Sequence, residues 1–183
     1  MKLLIIGLGS MGKRRARLIR GMRPDIVLCG VDSTESRRAE AEALGVITYP
    51  VISEAIKEER PDGALVCTAP ASHAGIITEL LRAGLPVFTE LNLIDDGYER
   101  NIALAKEQGV PLFLSSTMLY RGETQYIKAQ AQKFMAETGK PVNYIYHIGQ
   151  YLPDWHPWEN YKNFFMGQKR TGGVCEIFGI DLP

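Results

Sequence analysis

The 183-residue sequence carries no net charge, because 21 Lys and Arg offset 21 Asp and Glu. No strong overall field therefore favours nucleic acid or an anionic membrane surface. Cysteine is scarce. Cys29, Cys67 and Cys175 are odd in number and far apart, which excludes a disulfide framework and any metal-ligand spacing. Cys29 and Cys67 fall in apolar runs, where cysteine acts as a small hydrophobe. Long hydrophobic runs are missing too. The first apolar run is cut by Gly7 and Gly9, too early for a signal peptide, and no run approaches membrane-spanning length. Repeats and low-complexity segments are absent. The expectation is a cytoplasmic globular protein with no nucleic-acid and no membrane partner.

What the sequence does have begins at its first residues. Leu3-Leu4-Ile5-Ile6 is a β-type run that opens into Gly7-Leu8-Gly9-Ser10-Met11-Gly12, followed by an amphipathic helical stretch. Strand, G-x-G-x-x-G and helix in that order form a dinucleotide-binding fingerprint. Gly7 allows the tight turn, Gly9 lets the backbone approach a pyrophosphate, and Gly12 lets helix and strand pack closely. The helix N-terminus then turns free N–H groups and its positive dipole end toward the phosphates. Asp32 lies twenty positions after Gly12, at the end of a second apolar run over residues 26–31, where its carboxylate can accept ribose hydroxyls.

Two neighbouring readings share these residues. Gly7 to Gly12 followed by Lys13 also begins a P-loop, but Arg14 stands where a magnesium-binding hydroxyl is needed. A methyltransferase can use the same sheet with an acidic residue after its second strand. Lys13, Arg14, Arg15, Arg17, Arg20 and Arg23 form a basic cluster in and after the first helix. It is read as a solvated helix face, or as Arg14 or Arg15 helping to hold cofactor phosphate.

Further on, apolar runs and helical patterns alternate. Helices are expected after a Ser33 cap over residues 35–44, after Pro50 and Ser53 to about Arg60, over residues 74–83, and from an Asp95 or Asp96 cap to about Gln108. Strands are expected at residues 46–49, 64–67, 86–90 and 111–114, with Thr68 to His73 as a loop. The continuous apolar run at residues 64–67 fits a parallel strand covered on both faces. The fold class is α/β: a doubly wound parallel Rossmann sheet over residues 1–120, followed by the start of a second α+β domain over residues 121–183. That second part should hold a linking helix to about Thr138, a strand at residues 142–150 with His147 packed inside it, and an irregular aromatic-rich loop at residues 151–170. One strand, one loop and the start of a helix cannot bury a second layered domain, so the chain is read as a fragment.

Several stretches resemble the glucose–fructose oxidoreductase / inositol dehydrogenase / rhizopine catabolism (Gfo/Idh/MocA) family. Residues 7–12 resemble its opening. Thr68-Ala69-Pro70-Ala71-Ser72-His73 resembles its cofactor-passing loop, residues 84–90 the segment leading into its Glu-Lys-Pro motif, and Gly172-Gly173 the glycine pair before its second-domain helix. The resemblance implies an NAD(P)-dependent oxidoreductase working on a sugar, cyclitol or nucleotide-linked sugar, a homo-oligomer when full length. It also implies that Gly7, Gly9, Ser10, Met11, Gly12, Asp32, Thr68, Ala69, Pro70, His73 and Glu90 bind the cofactor. The catalytic motifs depart. Glu90-Leu91-Asn92 stands where the family has Glu-Lys-Pro, and Glu176 stands for an Asp, with Ile180 or Asp181 at the usual His position.

Removing a hydroxyl proton needs a base. His156 and Asp154, in the aromatic-rich loop with Trp155 and Trp158, are the candidates beside Glu176; the alternative is an exposed His156 and tryptophans that pin the loop. Arg121, Lys169 and Arg170 can hold an anion or be surface cations. Asp32 repels a 2′-phosphate and favours NAD, while Ser33, Arg37 and Arg38 leave NADP open. The missing lysine and histidine support an alternative: a dinucleotide-binding sensor or partner protein without catalysis.

Overall fold

The first strand, β1 (Lys2–Ile6), lies at the centre of the sheet, flanked by β2 (Val27–Val31) and β4 (Gly63–Val66). β3 (Ile47–Tyr49), β5 (Val87–Thr89) and β6 (Leu112–Leu114) extend it to the order β3-β2-β1-β4-β5-β6, every pair parallel. The computed structural model describes residues 1–91, 94–145, 147, 149, 151–155, 157, 160–163 and 165–172. It contains two compact units, Met1–Ser115 and Ser116–Pro183. The sheet and its helices make up the first.

Alternation along the strands sends successive side chains to opposite faces, and both faces are covered. Leu4 and Ile6 of β1, with Ala64 and Val66 of β4, face α3 (Ile52–Glu59), α4 (Pro70–Arg82) and α5 (Tyr98–Gln108). Ile5 and Leu65 face the other way, toward α1 (Ser10–Met22) and α2 (Glu35–Glu42), where Ala16 and Ala41 are buried. This is the expected doubly wound parallel sheet. The order reverses between β1 and β4, and in open α/β sheets that crevice, outside the carboxyl ends of the strands, is where ligands bind.

The element starts differ from expectation in four places. α4 begins at Pro70, so Pro70 to His73 form its first turn rather than a loop; proline at the first helical position is pre-set for the helix. α5 begins at Tyr98, because Gly97 takes a left-handed conformation (φ 69°) that breaks the turn after Asp95 and Asp96. α3 begins at Ile52. The residue before α2 is Thr34, not Ser33, and no side chain caps it; its own N–H bonds Asp32.

In the second unit, a 3₁₀ turn (Thr117–Tyr120) precedes α6 (Gly122–Thr138), which ends at Gly139 as expected. Among the described residues of 142–150 none forms a strand, and His147 is exposed rather than packed. A β-forming composition yields a strand only against a partner ladder. The stretch expected to be irregular contains a short helix, α7 (Leu152–Trp155), and a 3₁₀ turn (Phe165–Gly167). Among the described residues no helix is long and apolar enough to cross a membrane.

Candidate dinucleotide site

The glycine loop is fixed by backbone contacts at both ends. Gly7 donates its N–H to Val31 O at 2.8 Å and takes φ +90°, a left-handed value that other residues rarely adopt. A Cβ on Gly12 would lie 1.9 Å from Gly7 O, so only glycine lets α1 start this close to the strand. Gly9 is different. A Cβ there would meet no protein atom within 4 Å, so this backbone faces open space. α1 has no side-chain cap and no acidic residue in its first turn. Its leading N–H groups therefore keep their bonding capacity and positive dipole end for an outside anion. Ser10 and Met11 lie in that first turn. The loop thus fits a pyrophosphate by shape and by polarity.

Asp32 joins this loop to the end of β2. Its side chain is mostly buried, the whole residue being only 8% exposed. Oδ2 accepts the Leu8 N–H at 2.9 Å and Oδ1 accepts the Thr34 N–H at 2.9 Å. One carboxylate therefore sets both the first turn of the glycine loop and the entry to α2. Arg37 Nη1 stands 3.7 Å from Oδ2, and Arg38 Nη1 donates to the Asp32 carbonyl at 2.8 Å. Arg37 is exposed and free to reorient, whereas Arg38 is tied to the backbone. That combination gives a ribose acceptor with a cation at its edge.

The other side of the crevice is built from the ends of β4, β5 and β6. The Ser72 hydroxyl bonds Thr68 Oγ1 and Ala69 O, both at 2.8 Å, and holds the turn Thr68-Ala69-Pro70 in shape. His73 is 1% exposed, so its ring faces the interior. Its Nε2 lies 2.9 Å from Thr68 O; a carbonyl only accepts, so Nε2 carries the proton. Nδ1 lies 3.5 Å from the Thr89 hydroxyl, which in turn donates to Glu90 O at 2.9 Å. His73, with its ring buried, therefore braces the β4 and β5 ends from inside.

Glu90 has a partner that the sequence did not suggest. Arg15 Nε donates to Glu90 Oε1 at 2.5 Å, and Arg15 Nη2 lies 3.4 Å from Ser115 Oγ. The guanidinium sits 5.3 Å above the Phe88 ring, and Phe88 stacks on Phe113 with centroids 5.5 Å apart. The hydrogen bond to Glu90 raises the Arg15 pKa above its ordinary value, against the opposing effect of burial. Arg15 is thus directed at Glu90 rather than at a phosphate. Lys13 pairs with Glu40, Arg20 with Gly45 O and Arg23 with Asp25, so most of the basic cluster is spent on the helix's own surroundings. Beside the pair, burial pushes the Cys67 thiol up to about 12, which leaves it unreactive as a nucleophile near neutrality.

Asp154 is exposed in α7, in the second unit. His156 and Glu176 lie outside the described residues. Arg121 pairs loosely with Glu123 at 3.6 Å. Among the described residues no group of His, Cys, Asp and Glu could hold a metal. Sequence reading missed Arg15 with Glu90, Ser115 with Arg15, and Thr89. The partners are 75 and 100 residues apart, and nothing local marks such pairs.

Known proteins agree with this geometry. The family described as "Oxidoreductase family, NAD-binding Rossmann fold" matches residues 1–116. No curated protein matches the sequence. Among solved structures, GenD2 from gentamicin A biosynthesis, in complex with NAD, is 23% identical with a TM-score of 0.65, over 76% of this chain and 40% of its own. The WlbA dehydrogenase from Chromobacterium violaceum, in complex with NADH and UDP-GlcNAcA, is 15% identical with a TM-score of 0.67, over 73% of this chain and 40% of its own. A probable dehydrogenase from Thermotoga maritima is 26% identical with a TM-score of 0.65, over 74% and 42%. The chain spans about two-fifths of the length of these structures. The match over residues 1–116, more than half of the chain, shows that the chain belongs to the Gfo/Idh/MocA oxidoreductase family with the NAD-binding Rossmann fold.

Proposed function

We propose that this chain is the dinucleotide-binding part of an NAD(P)-dependent oxidoreductase that acts on a hydroxyl or carbonyl of a sugar, cyclitol or nucleotide-linked sugar. The observation that carries the reading is the link between Asp32 and the glycine loop: one carboxylate bonded to Leu8 N–H at 2.9 Å, beside a Gly9 backbone that faces open space. Gly7, Gly9, Ser10, Met11 and Gly12 would hold the pyrophosphate. Asp32 would accept the adenosine ribose hydroxyls, with NAD preferred and NADP admitted when Arg37 turns outward. Thr68, Ala69, Pro70 and Glu90 would line the nicotinamide side. Bound there, the nicotinamide supplies or accepts a hydride. The domain boundary is placed near residue 120, with the substrate side beyond it.

The chain's own residues must manage the substrate proton. Leu91 cannot, since it has no titratable atom. His156, Asp154 and Glu176 are the candidates for that role. A cytoplasmic homo-oligomer is the expected setting for the full-length protein. The second reading, a dinucleotide-binding sensor or partner without turnover, is favoured by Leu91 at the motif's lysine position.

The test is a screen of sugars, cyclitols and nucleotide-linked sugars against the full-length protein with NAD+ and NADP+, followed by nicotinamide absorbance. Turnover with one of these classes is expected. Tight dinucleotide binding without turnover on any of them would replace this reading with the sensor.

A further inference from the structure

We propose that Arg15 is a positioning residue for the nicotinamide half of the cofactor, acting through Glu90; the proposal rests on the dinucleotide reading above. Glu90 follows β5 directly. Its N–H bonds Val66 O of β4 at 2.9 Å and its carbonyl accepts the hydroxyl of Thr89, the last residue of β5, at 2.9 Å, so its backbone is fixed by the neighbouring strand and by its own. Its side chain is fixed by Arg15, which occupies Oε1 and leaves Oε2 for another donor. The two side chains are only 23% and 13% exposed.

A partly buried ion pair is a weak source of stability, because desolvation offsets most of its attraction. This one is nevertheless built with care. The guanidinium is clamped by Glu90 and the Phe88 face, from β5 and its end, and by Ser115, just after β6. That degree of fixation serves orientation of the carboxylate. It also supplies a cation where Leu91 supplies none: the positive charge at the end of β5 arrives from α1, one turn after Gly12.

Position decides which half of the ligand is served. Asp32 ends β2 and Glu90 ends β5, three strand spacings apart, about 14 Å. The glycine loop, after β1, lies between them. A dinucleotide with its pyrophosphate over that loop places one ribose toward Asp32 and the other toward Glu90. Oε2 of Glu90 is then an acceptor for the hydroxyls of the nicotinamide ribose, and Arg15 holds it in place. Because Arg15 stands on the same helix that begins with the phosphate-facing N–H groups, pyrophosphate seating and ribose seating are set by one rigid element.

The test compares NADH with ADP, which lacks the nicotinamide riboside, by titration of the chain. Arg15→Met should weaken NADH about tenfold, the loss expected when one hydrogen bond to a charged group is released, and leave ADP within about twofold. Glu90→Gln should show the same split, and Arg15→Lys should recover part of the NADH affinity. Thermal melts run alongside establish that each variant is folded. Equal weakening of both ligands by Arg15→Met and Glu90→Gln would reduce the pair to a structural contact and overturn the proposal, as would unchanged NADH affinity in both. If the unmodified chain binds neither ligand, the dinucleotide reading itself fails instead.

Discussion

Gly12→Ala is expected to abolish dinucleotide binding and to destabilise the fold together. The new methyl would lie 1.9 Å from Gly7 O and 3.3 Å from Ile5 Cγ2. The first is a backbone atom inside a turn whose N–H is already bonded to Val31 O, so it cannot swing aside as a flexible side chain would. Either α1 lifts off the sheet or the turn opens, and both move the N–H groups that face the phosphates. A cost of about 1–3 kcal/mol, typical of overpacking, is expected in denaturant unfolding, with NAD affinity down more than about a hundredfold. Gly9→Ala separates the two effects. Its methyl meets no protein atom within 4 Å, so stability should stay within about 0.5 kcal/mol. Its binding should still fall sharply, because the methyl occupies the space given to the pyrophosphate. Retained NAD affinity in Gly9→Ala would remove the loop from the site.

Asp32→Ala is expected to act on stability and specificity at once. It strips the acceptor from Leu8 N–H and Thr34 N–H at a residue only 8% exposed. Leaving a buried donor unsatisfied costs about 1–3 kcal/mol, so a clear drop in unfolding free energy should follow. The ribose acceptor goes with it, and NAD affinity should fall more than about tenfold, as for a lost hydrogen bond to a charged group. NADP should lose less, because the carboxylate that repels a 2′-phosphate is gone while Arg37 remains. The NAD-to-NADP ratio is therefore expected to collapse or invert. Asp32→Asn keeps one oxygen acceptor and should restore part of the stability but little of the discrimination. Calorimetric titration with both dinucleotides, beside urea unfolding, reads all three quantities. An unchanged ratio in Asp32→Ala would remove Asp32 from cofactor choice.

The sheet was largely legible from local pattern. Fully buried strands read as continuous apolar runs, as at residues 64–67, and the glycine spacing after β1 has few structural uses other than a tight strand-to-helix entry. Asp32 could be placed at the end of β2 by spacing alone, but its bond to Leu8 N–H could not. Pro70 reads as a loop residue in the sequence, yet proline opens helices readily, and here it starts α4 with His73 buried in the first turn. The Arg15–Glu90–Ser115 cluster has no sequence signature, because it joins α1 to the far side of the sheet. In residues 142–150, β-forming side chains suggested a strand, yet such a composition is decided by a partner ladder and not by the segment itself. The catalytic reading stayed least anchored for a chemical reason: the positions that carry it, His156 and Glu176, depart from the family pattern or fall in stretches whose sequence has no period.

The most direct measurement is a calorimetric titration of the chain with NAD+ and with NADP+, with circular dichroism to establish that it is folded. One saturable site for NAD+ is expected, with weaker binding of NADP+. A folded chain that binds neither dinucleotide would contradict the account, since a glycine loop, an uncapped helix start and a bonded Asp32 would then be present without the ligand they fit.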